Sequence, residues 1–162
     1  MKNPILLLSV LFLVAACGQK QYFTSSPEID LVKKVNEAYF TGDWQSLRTM
    51  YADTAKVWFN TWMGGEVGPD RYIEMLKSGV TDLMEYKMSD DAIYEMVITD
   101  KGEHWVHNWF LYSTKHKNGK EIGVPVHLST MIVDGKVCYQ VLIGNALPGY
   151  LARMSSDSTV TQ

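Results

Sequence analysis

Apolar side chains in the first part of the chain recur with the period of a helix. Between residues 27 and 41 they recur at the spacing of an amphipathic helix: Ile29, Leu31, Val32, Val35, Ala38 and Tyr39. Ser26 offers a capping hydroxyl, Pro27 suits the first helical position, and Gly42 suits a helix end. The pattern therefore predicts a first helix that begins at Pro27 and stops at Gly42.

Two further helices are predicted before residue 83. Asp43 is a capping residue for a second helix, whose apolar face would carry Leu47, Met50 and Tyr51. A third helix is predicted to open at Gly68-Pro69-Asp70, with its apolar positions at Tyr72, Ile73, Met75 and Leu76. Between these two helices the run from Ala55 to Thr61 has the composition of a strand.

After about Leu83 the apolar pattern changes to a period of two, which is typical of strands. The predicted strands lie near Tyr86–Met88, Ala92–Ile98, Glu103–Lys117, Glu121–Val133 and Lys136–Ala146. Asn118-Gly119 and Asp134-Gly135 are strong signals for hairpin turns. Helices followed by a long antiparallel meander indicate an α+β fold.

Two-residue turns would fix how three of these strands pair. Lys117 would then face Lys120, and Val133 would face Lys136. One predicted face has Asn108, Ser129 and Gln140 in one row and Phe110, His127 and Leu142 in the next. The other face would be apolar, with Trp109, Leu111, Val126, Leu128, Val141 and Ile143. A bulge would flip part of this register.

The first residues are predicted to be a targeting segment. Lys2 precedes an uncharged apolar run that is too short for a membrane span and typical of a signal peptide. Val14-Ala15-Ala16-Cys17 resembles the lipobox of bacterial lipoproteins, which implies cleavage before Cys17 and its lipidation. The alternative is a plain secretory signal with an accidental cysteine. We expect a lipid-anchored protein of the bacterial cell envelope that faces the periplasm.

Composition narrows the class of protein. The 162 residues suggest one domain, and 15 Lys+Arg against 18 Asp+Glu argue against a nucleic-acid partner. Two cysteines cannot form a disulfide framework, and no motif indicates a metal site or a cofactor. The predicted organisation is a signal peptide (1–16), a lipidated cysteine and tether (17–26), one domain (27–154) and a polar tail (155–162).

Two segments carry a resemblance to a known superfamily. The stretch from Thr41-Gly42-Asp43-Trp44 to Ala55, and Val133-Asp134-Gly135-Lys136-Val137, resemble nuclear-transport-factor-2-like proteins, which include SnoaL-like proteins and ketosteroid isomerase. The resemblance implies a cone-shaped, curved antiparallel sheet packed against three N-terminal helices. It also implies a homodimer formed sheet to sheet through the apolar face; the alternative is that this face is the core.

The cone that the resemblance implies would enclose a small-molecule pocket. An apolar cavity with a few convergent polar groups is typical of such sites. The predicted lining is Phe59, Trp62, Asn108, Phe110, Tyr112, His127, Ser129 and Gln140. The sequence indicates no Arg or Lys that could hold a phosphate or carboxylate there, so we expect a small apolar or aromatic ligand.

The resemblance gives little support for one particular chemistry. Aligned with ketosteroid isomerase, the catalytic base falls on Phe59, the oxyanion tyrosine on Val35 and the protonated carboxyl on His127. Two of the three groups are missing, although Tyr39 lies one turn beyond Val35. The leading hypothesis is a binding protein. The alternatives are a SnoaL-like cyclase, isomerase or hydratase that uses His127 as acid or base, and a scaffold that docks another envelope protein.

Overall fold

The computed structural model describes residues 21–59 and 65–154. Three helices precede most of the sheet: α1 (Pro27–Thr41), α2 (Trp44–Thr49) and α3 (Pro69–Gly79). Ser26 Oγ accepts a hydrogen bond from the Ile29 amide at 3.2 Å, and Gly42 ends α1 with φ 72°. Asp43 Oδ1 caps α2 at 3.0 Å from the Ser46 amide. The predicted start and stop signals of α1 and the predicted caps are confirmed.

In the described residues eight strands form one sheet: β1 (Tyr22–Phe23), β2 (Tyr51–Phe59), β3 (Glu66–Val67), β4 (Leu83–Met88), β5 (Ile93–Ile98), β6 (His104–His116), β7 (Glu121–Val133) and β8 (Lys136–Gly144). Their order is β1-β5-β6-β7-β8-β2-β3, and β4 pairs with β6. The pairing of β2 with β8 is parallel, so the sheet is mixed and mostly antiparallel. The α+β prediction is confirmed.

Four elements differ from the sequence prediction, one of which is the short strand β3, which was not predicted. Tyr51 begins β2 instead of continuing the second helix. Two residues of the predicted tether, Tyr22 and Phe23, join the sheet as β1 beside β5. A fourth helix, α4 (Leu147–Met154), follows the last strand and was not predicted. The described helices include none with the length and apolar character that a membrane crossing requires.

The turn between β7 and β8 is the predicted two-residue turn. Asp134 and Gly135 have φ of 50° and 69°, and Val133 pairs with Lys136. The register then shifts by one, because Ile132 pairs with Val137 while Met131 pairs with Tyr139. Cys138 is therefore the extra residue of a bulge.

The predicted pairing of β6 with β7 was wrong by one residue. His116 N donates to Lys120 O at 2.8 Å, so the loop has three residues, 117–119, and Gly119 takes φ 82°. Ser129 therefore pairs with His107, and the bulge at Cys138 sets Gln140 opposite Thr130 rather than Ser129. A one-residue slip exchanges the faces, so Ser129 no longer shares a face with Gln140.

The face of the sheet towards the helices, called here the inner face, carries the core. Val57, Val106 and Val137 are fully buried in one cluster with Val32 of α1 and Leu47 of α2. The inner face also holds Leu128, which pairs with Asn108, and Val126, which pairs with Phe110. The prediction that Val126 and Leu128 belong to the opposite face was wrong because it used the two-residue loop.

The opposite, outer face keeps an apolar surface. Trp109, Leu111 and Ile143 are exposed by 38, 43 and 53%, and Ile93, which pairs with Trp109, by 56%. His107, His127 and Ser129 lie among them on β6 and β7.

Candidate functional site

A cavity of about 380 Å³ lies between the inner face and the helices. Its wall is mostly apolar and aromatic, and α1, α3, α4 and the ends of β6, β7 and β8 all contribute to it. The alternation of β6 turns every second side chain inward, from Phe110 through Tyr112 and Thr114 to His116. The size and lining of this cavity are those of a small-molecule site.

Two tyrosine hydroxyls meet inside the cavity. Tyr39 Oη of α1 and Tyr112 Oη of β6 lie 2.9 Å apart, and either can be the donor. Burial, and next the neighbouring Tyr112, raises the pKa of Tyr39 far above its usual value. Burial also raises the pKa of Tyr112. Both hydroxyls therefore stay protonated at neutral pH and can donate a hydrogen bond.

A second polar group in the wall is already satisfied by the protein. Tyr51 Oη donates to Gln140 Oε1 at 2.7 Å, and Gln140 Nε2 donates to Thr130 Oγ1 at 3.1 Å. Burial raises the pKa of Tyr51 well above its usual value. These two hydrogen bonds link β2, β8 and β7. They also satisfy polar groups that are buried in the wall.

One end of the cavity is lined by His116 of β6 and Arg153 of α4 and is called here the α4 end. His116, the last residue of β6, lines the cavity and is only 4% exposed. Its ring nitrogens make no hydrogen bond to the residues that the structure describes. Arg153 of α4 also lines the cavity, is exposed to solvent, and its charge acts on Tyr112. The cavity therefore opens beside an arginine.

The structure separates the residues that were predicted to line one pocket. Phe59, Phe110, Tyr112 and Gln140 line the cavity. Asn108 lies on the inner face, fully buried, and neither its Oδ1 nor its Nδ2 has a hydrogen-bond partner. His127 and Ser129 lie on the outer face, and Trp62 lies outside the described residues. The placement of His127 and Ser129 in the pocket fails because it depended on the wrong β6–β7 register.

His127 belongs instead to a histidine pair on the outer face. Its ring stacks on Trp109 with centroids 4.6 Å apart, and His107 Nδ1 lies 2.9 Å from Ser129 Oγ. Burial lowers the pKa of His107, and burial together with nearby His107 lowers the pKa of His127. Among the described residues no three His, Cys, Asp or Glu side chains are grouped so that they could hold a metal ion.

Sequence reasoning missed both His116 and Arg153 at the α4 end. His116 falls within a predicted strand, and its even spacing from Tyr112 was the signal that could have placed it on the same face. Arg153 lies on α4, which was predicted only as the end of the domain. Pro148 at its second position and Asn145, whose Oδ1 accepts from the Leu147 amide at 3.1 Å, were signals for this helix.

The fold is similar to several solved structures. A putative polyketide cyclase from Xanthomonas campestris pv. campestris aligns with a TM-score of 0.63 and 18% identity, covering 78% of this chain and 95% of that chain. A putative SnoaL-like polyketide cyclase from Shewanella putrefaciens gives 0.63 and 17%, covering 80% and 98%. A nuclear-transport-factor-2-like protein from Anabaena variabilis gives 0.59 and 17%, covering 79% and 96%.

These likenesses show the fold alone, which the chain shares with a nuclear-transport-factor-2-like protein and with putative polyketide cyclases. At such low sequence identities a shared fold does not show what this chain binds or which reaction it catalyses. No protein-family model matches the chain, and no curated protein matches it.

Proposed function

We propose that this protein binds a small, largely apolar molecule in the cavity of its cone. The observation that carries the proposal is the cavity of about 380 Å³, which is walled by aromatic and aliphatic side chains and has few polar groups. The volume falls in the lower part of the range of small-molecule sites, which begins at roughly 300 Å³. A docking scaffold would have this space filled by side chains.

The binding proposal is tested with a neutral fluorescent probe, N-phenyl-1-naphthylamine, and the chain of residues 18–162, which contains every described helix and strand. Val124 lines the cavity and is partly buried, so Val124→Phe should reduce the space and weaken the binding of the probe. Val133→Phe, at a half-exposed position beside the β7–β8 turn, is the matched control. Equal binding by both variants and the parent chain would contradict the proposal.

A second candidate is an enzyme of acid–base type that uses His116 instead of His127. The observation that favours it is an imidazole almost fully buried in the cavity wall, without a partner among the described residues, on the strand that carries Tyr112. Such a group can move a proton while the one O–H of the Tyr39–Tyr112 pair that is not used within the pair donates to a developing oxyanion. Two of the similar structures are named putative polyketide cyclases, which is consistent with this candidate.

The enzyme candidate is tested by exchange of the methyl protons of 2-acetylnaphthalene for deuterium, followed by NMR. Exchange requires removal of a proton next to a carbonyl. His116→Gln should abolish any protein-catalysed exchange and leave binding of the neutral probe unchanged, whereas His127→Gln should retain both. Exchange that survives His116→Gln would exclude this candidate.

The proposal also includes a lipid anchor at Cys17 and a homodimer through the outer face. The sequence before Cys17 supports the anchor, although it lies outside the described residues. The exposed apolar side chains of the outer face support the dimer, because contiguous apolar surface commonly marks an interface.

A further inference from the structure

We infer that His107 and His127 of the outer face form half of a binding site for a divalent transition-metal ion such as Zn²⁺, and that the same pair in a second copy of the chain completes it. The inference rests on the proposed homodimer and adds a metal ion to its interface. The site lies outside the cavity, so it does not depend on the ligand there. It also goes beyond the sequence analysis, in which no motif indicates a metal site.

Two imidazoles from neighbouring strands converge on one hydroxyl. His107 Nδ1 of β6 lies 2.9 Å from Ser129 Oγ, and His127 Nε2 of β7 lies 3.5 Å from the same oxygen. The centroids of the two rings are 5.6 Å apart, and the rings are tilted by 31°. With Zn–N of about 2.1 Å in tetrahedral coordination, the centroids of two bound imidazoles lie roughly 5 Å apart. The two rings are therefore spaced closely enough to share one ion.

The chemistry of the pair suits Zn²⁺ and similar ions. Imidazole favours zinc, copper and nickel, and it binds a metal only in its neutral form. Burial lowers the pKa of both histidines, so both are mainly neutral at pH 7. Ser129 Oγ can accept the Nδ1 proton of His107 and leave Nε2 free for the metal, an arrangement that is common for metal-bound histidines. Glu95 pairs with His107 across β5 and β6, and its negative charge favours a cation.

One chain supplies too few ligands for a stable site. A structural zinc ion takes four ligands, whereas no three His, Cys, Asp or Glu side chains are grouped for a metal ion within the described part of one chain. Two copies of the histidine pair supply four imidazoles. The site is therefore incomplete in one chain and is completed by a two-fold dimer, in which both copies contribute the same residues.

The position of the pair in the sheet favours a shared site. β6 and β7 are central in the strand order, and apolar side chains lie beside the pair: Trp109 stacks on His127, which pairs with Ile143, and Ile93 pairs with Trp109. Packed sheets lie about 10 Å apart, and a residue near a two-fold axis meets its own copy. Imidazoles that project from both sheets therefore meet within the interface, where apolar side chains surround the ion.

The experiment uses residues 18–162 freed of metal with EDTA. Titration with Co²⁺ should give one ion per two chains, with the strong visible absorption of tetrahedral coordination. In sedimentation equilibrium, excess Zn²⁺ should lower the dissociation constant of the dimer at least about tenfold relative to EDTA, because the ion binds the dimer in preference to the monomer. His107→Gln and His127→Gln should each remove this effect of Zn²⁺. The ratio of the two dissociation constants is taken within each variant, so it is independent of any change in the metal-free dimer.

His104→Gln is the matched control, since His104 lies on the same strand but its Nδ1 contacts Glu28 Oε1 at 2.8 Å. Cys138→Ala removes the only cysteine of residues 18–162. Both variants should retain the effect of Zn²⁺. One Co²⁺ per chain, no Co²⁺ binding, or a Zn²⁺ effect that survives the replacement of both His107 and His127 would overturn the inference and leave the homodimer and the cavity intact. A chain that is monomeric in both Zn²⁺ and EDTA would contradict the proposed homodimer as well.

Discussion

At the scale of single residues, the side-chain amide of Asn108 is placed unfavourably, because it is buried without a hydrogen-bond partner. It is fully buried with both polar atoms of its amide unpaired. A buried polar group without a partner costs about 1–3 kcal/mol. We therefore expect Asn108→Leu, which is close in size, to raise the free energy of unfolding by about 1–3 kcal/mol in urea denaturation.

Gln140 provides the control for Asn108. It is 1% exposed, yet its amide bonds to the hydroxyls of Tyr51 and Thr130. Gln140→Leu leaves both hydroxyls without this partner and should lower the free energy of unfolding by about 1–3 kcal/mol. Destabilisation by Asn108→Leu of the same size would contradict the prediction.

The two outer-face histidines predict how stability depends on pH. Burial lowers the pKa of His107, and burial with nearby His107 lowers the pKa of His127, below the usual value of about 6.5. The unfolded chain then binds protons more readily, so stability is complete above that value and falls as the pH drops through it. We expect the urea midpoint to decrease between pH 7 and pH 5.

The pH prediction has its own control in a double variant. His107→Gln with His127→Gln removes both groups, so the decrease between pH 7 and pH 5 should become shallower. Glu95, which pairs with His107 across β5 and β6, acts in the opposite direction on its pKa and remains in both chains. An unchanged pH dependence in the double variant would refute the assignment to these histidines.

At the scale of elements, local chemistry predicted most of the fold, whereas the register depended on features that local chemistry does not specify. The caps at Ser26 and Asp43 located two helices because a cap acts within one turn of chain. Asn118-Gly119 is compatible with loops of two or three residues, and one bulge at Cys138 was enough to shift β8.

The same elements explain how much of the site could be predicted. Phe59, Phe110, Tyr112 and Gln140 reach the cavity. Three of them lie on β2 or β6, where inward alternation does not depend on the pairing with β7. Every predicted pairing between β6 and β7, and every face assigned from it, inherited the one-residue error. Arg153 lines the cavity because it lies on α4. This helix follows the last strand and was not part of the predicted strand meander.

The three-residue loop leads to a prediction about its glycine. Gly119 has φ 82°, whereas Gly79 at the end of α3 has no such conformation, and an added Cβ meets nothing within 4 Å at either position. Gly119→Ala should therefore lower the free energy of unfolding by about 1 kcal/mol through backbone strain. Gly79→Ala should leave it unchanged or raise it by about 0.5–1 kcal/mol. Equal effects, measured by urea denaturation, would contradict the loop geometry.

At the scale of the whole molecule, the outer face leads to a prediction about assembly. Trp109, Leu111 and Ile143 expose a third or more of their surface on one side of the sheet. We expect residues 18–162 to sediment as a dimer. Ile143→Lys should produce a monomer that still binds the neutral probe, because the cavity lies on the other side of the sheet. Met84→Lys changes an equally apolar, 66% exposed side chain on β4 and should leave the dimer intact.

The first described residues of the chain and the α4 end of the cavity lie at opposite ends of the longest strand pair. The first described strand, β1, pairs with β5 at Met96 and Val97, and these two residues lie beside the start of β6. His116 is the last residue of β6, and a strand of this length spans about 40 Å. If Cys17 is lipidated, the chain is held close to the bilayer at the start of β6, and the α4 end points into the aqueous phase.

This orientation is measurable by energy transfer to a rhodamine-labelled lipid in vesicles that carry the lipidated protein. In a Cys138→Ala background, a donor on Asp100→Cys, in the β5–β6 turn, should transfer more efficiently than a donor on Lys117→Cys, in the β6–β7 loop. Equal or reversed efficiencies would contradict the orientation, and loss of vesicle association in a Cys17→Ala chain is the outcome that the anchor requires. An open end that faces water suits a protein whose ligand arrives from solution.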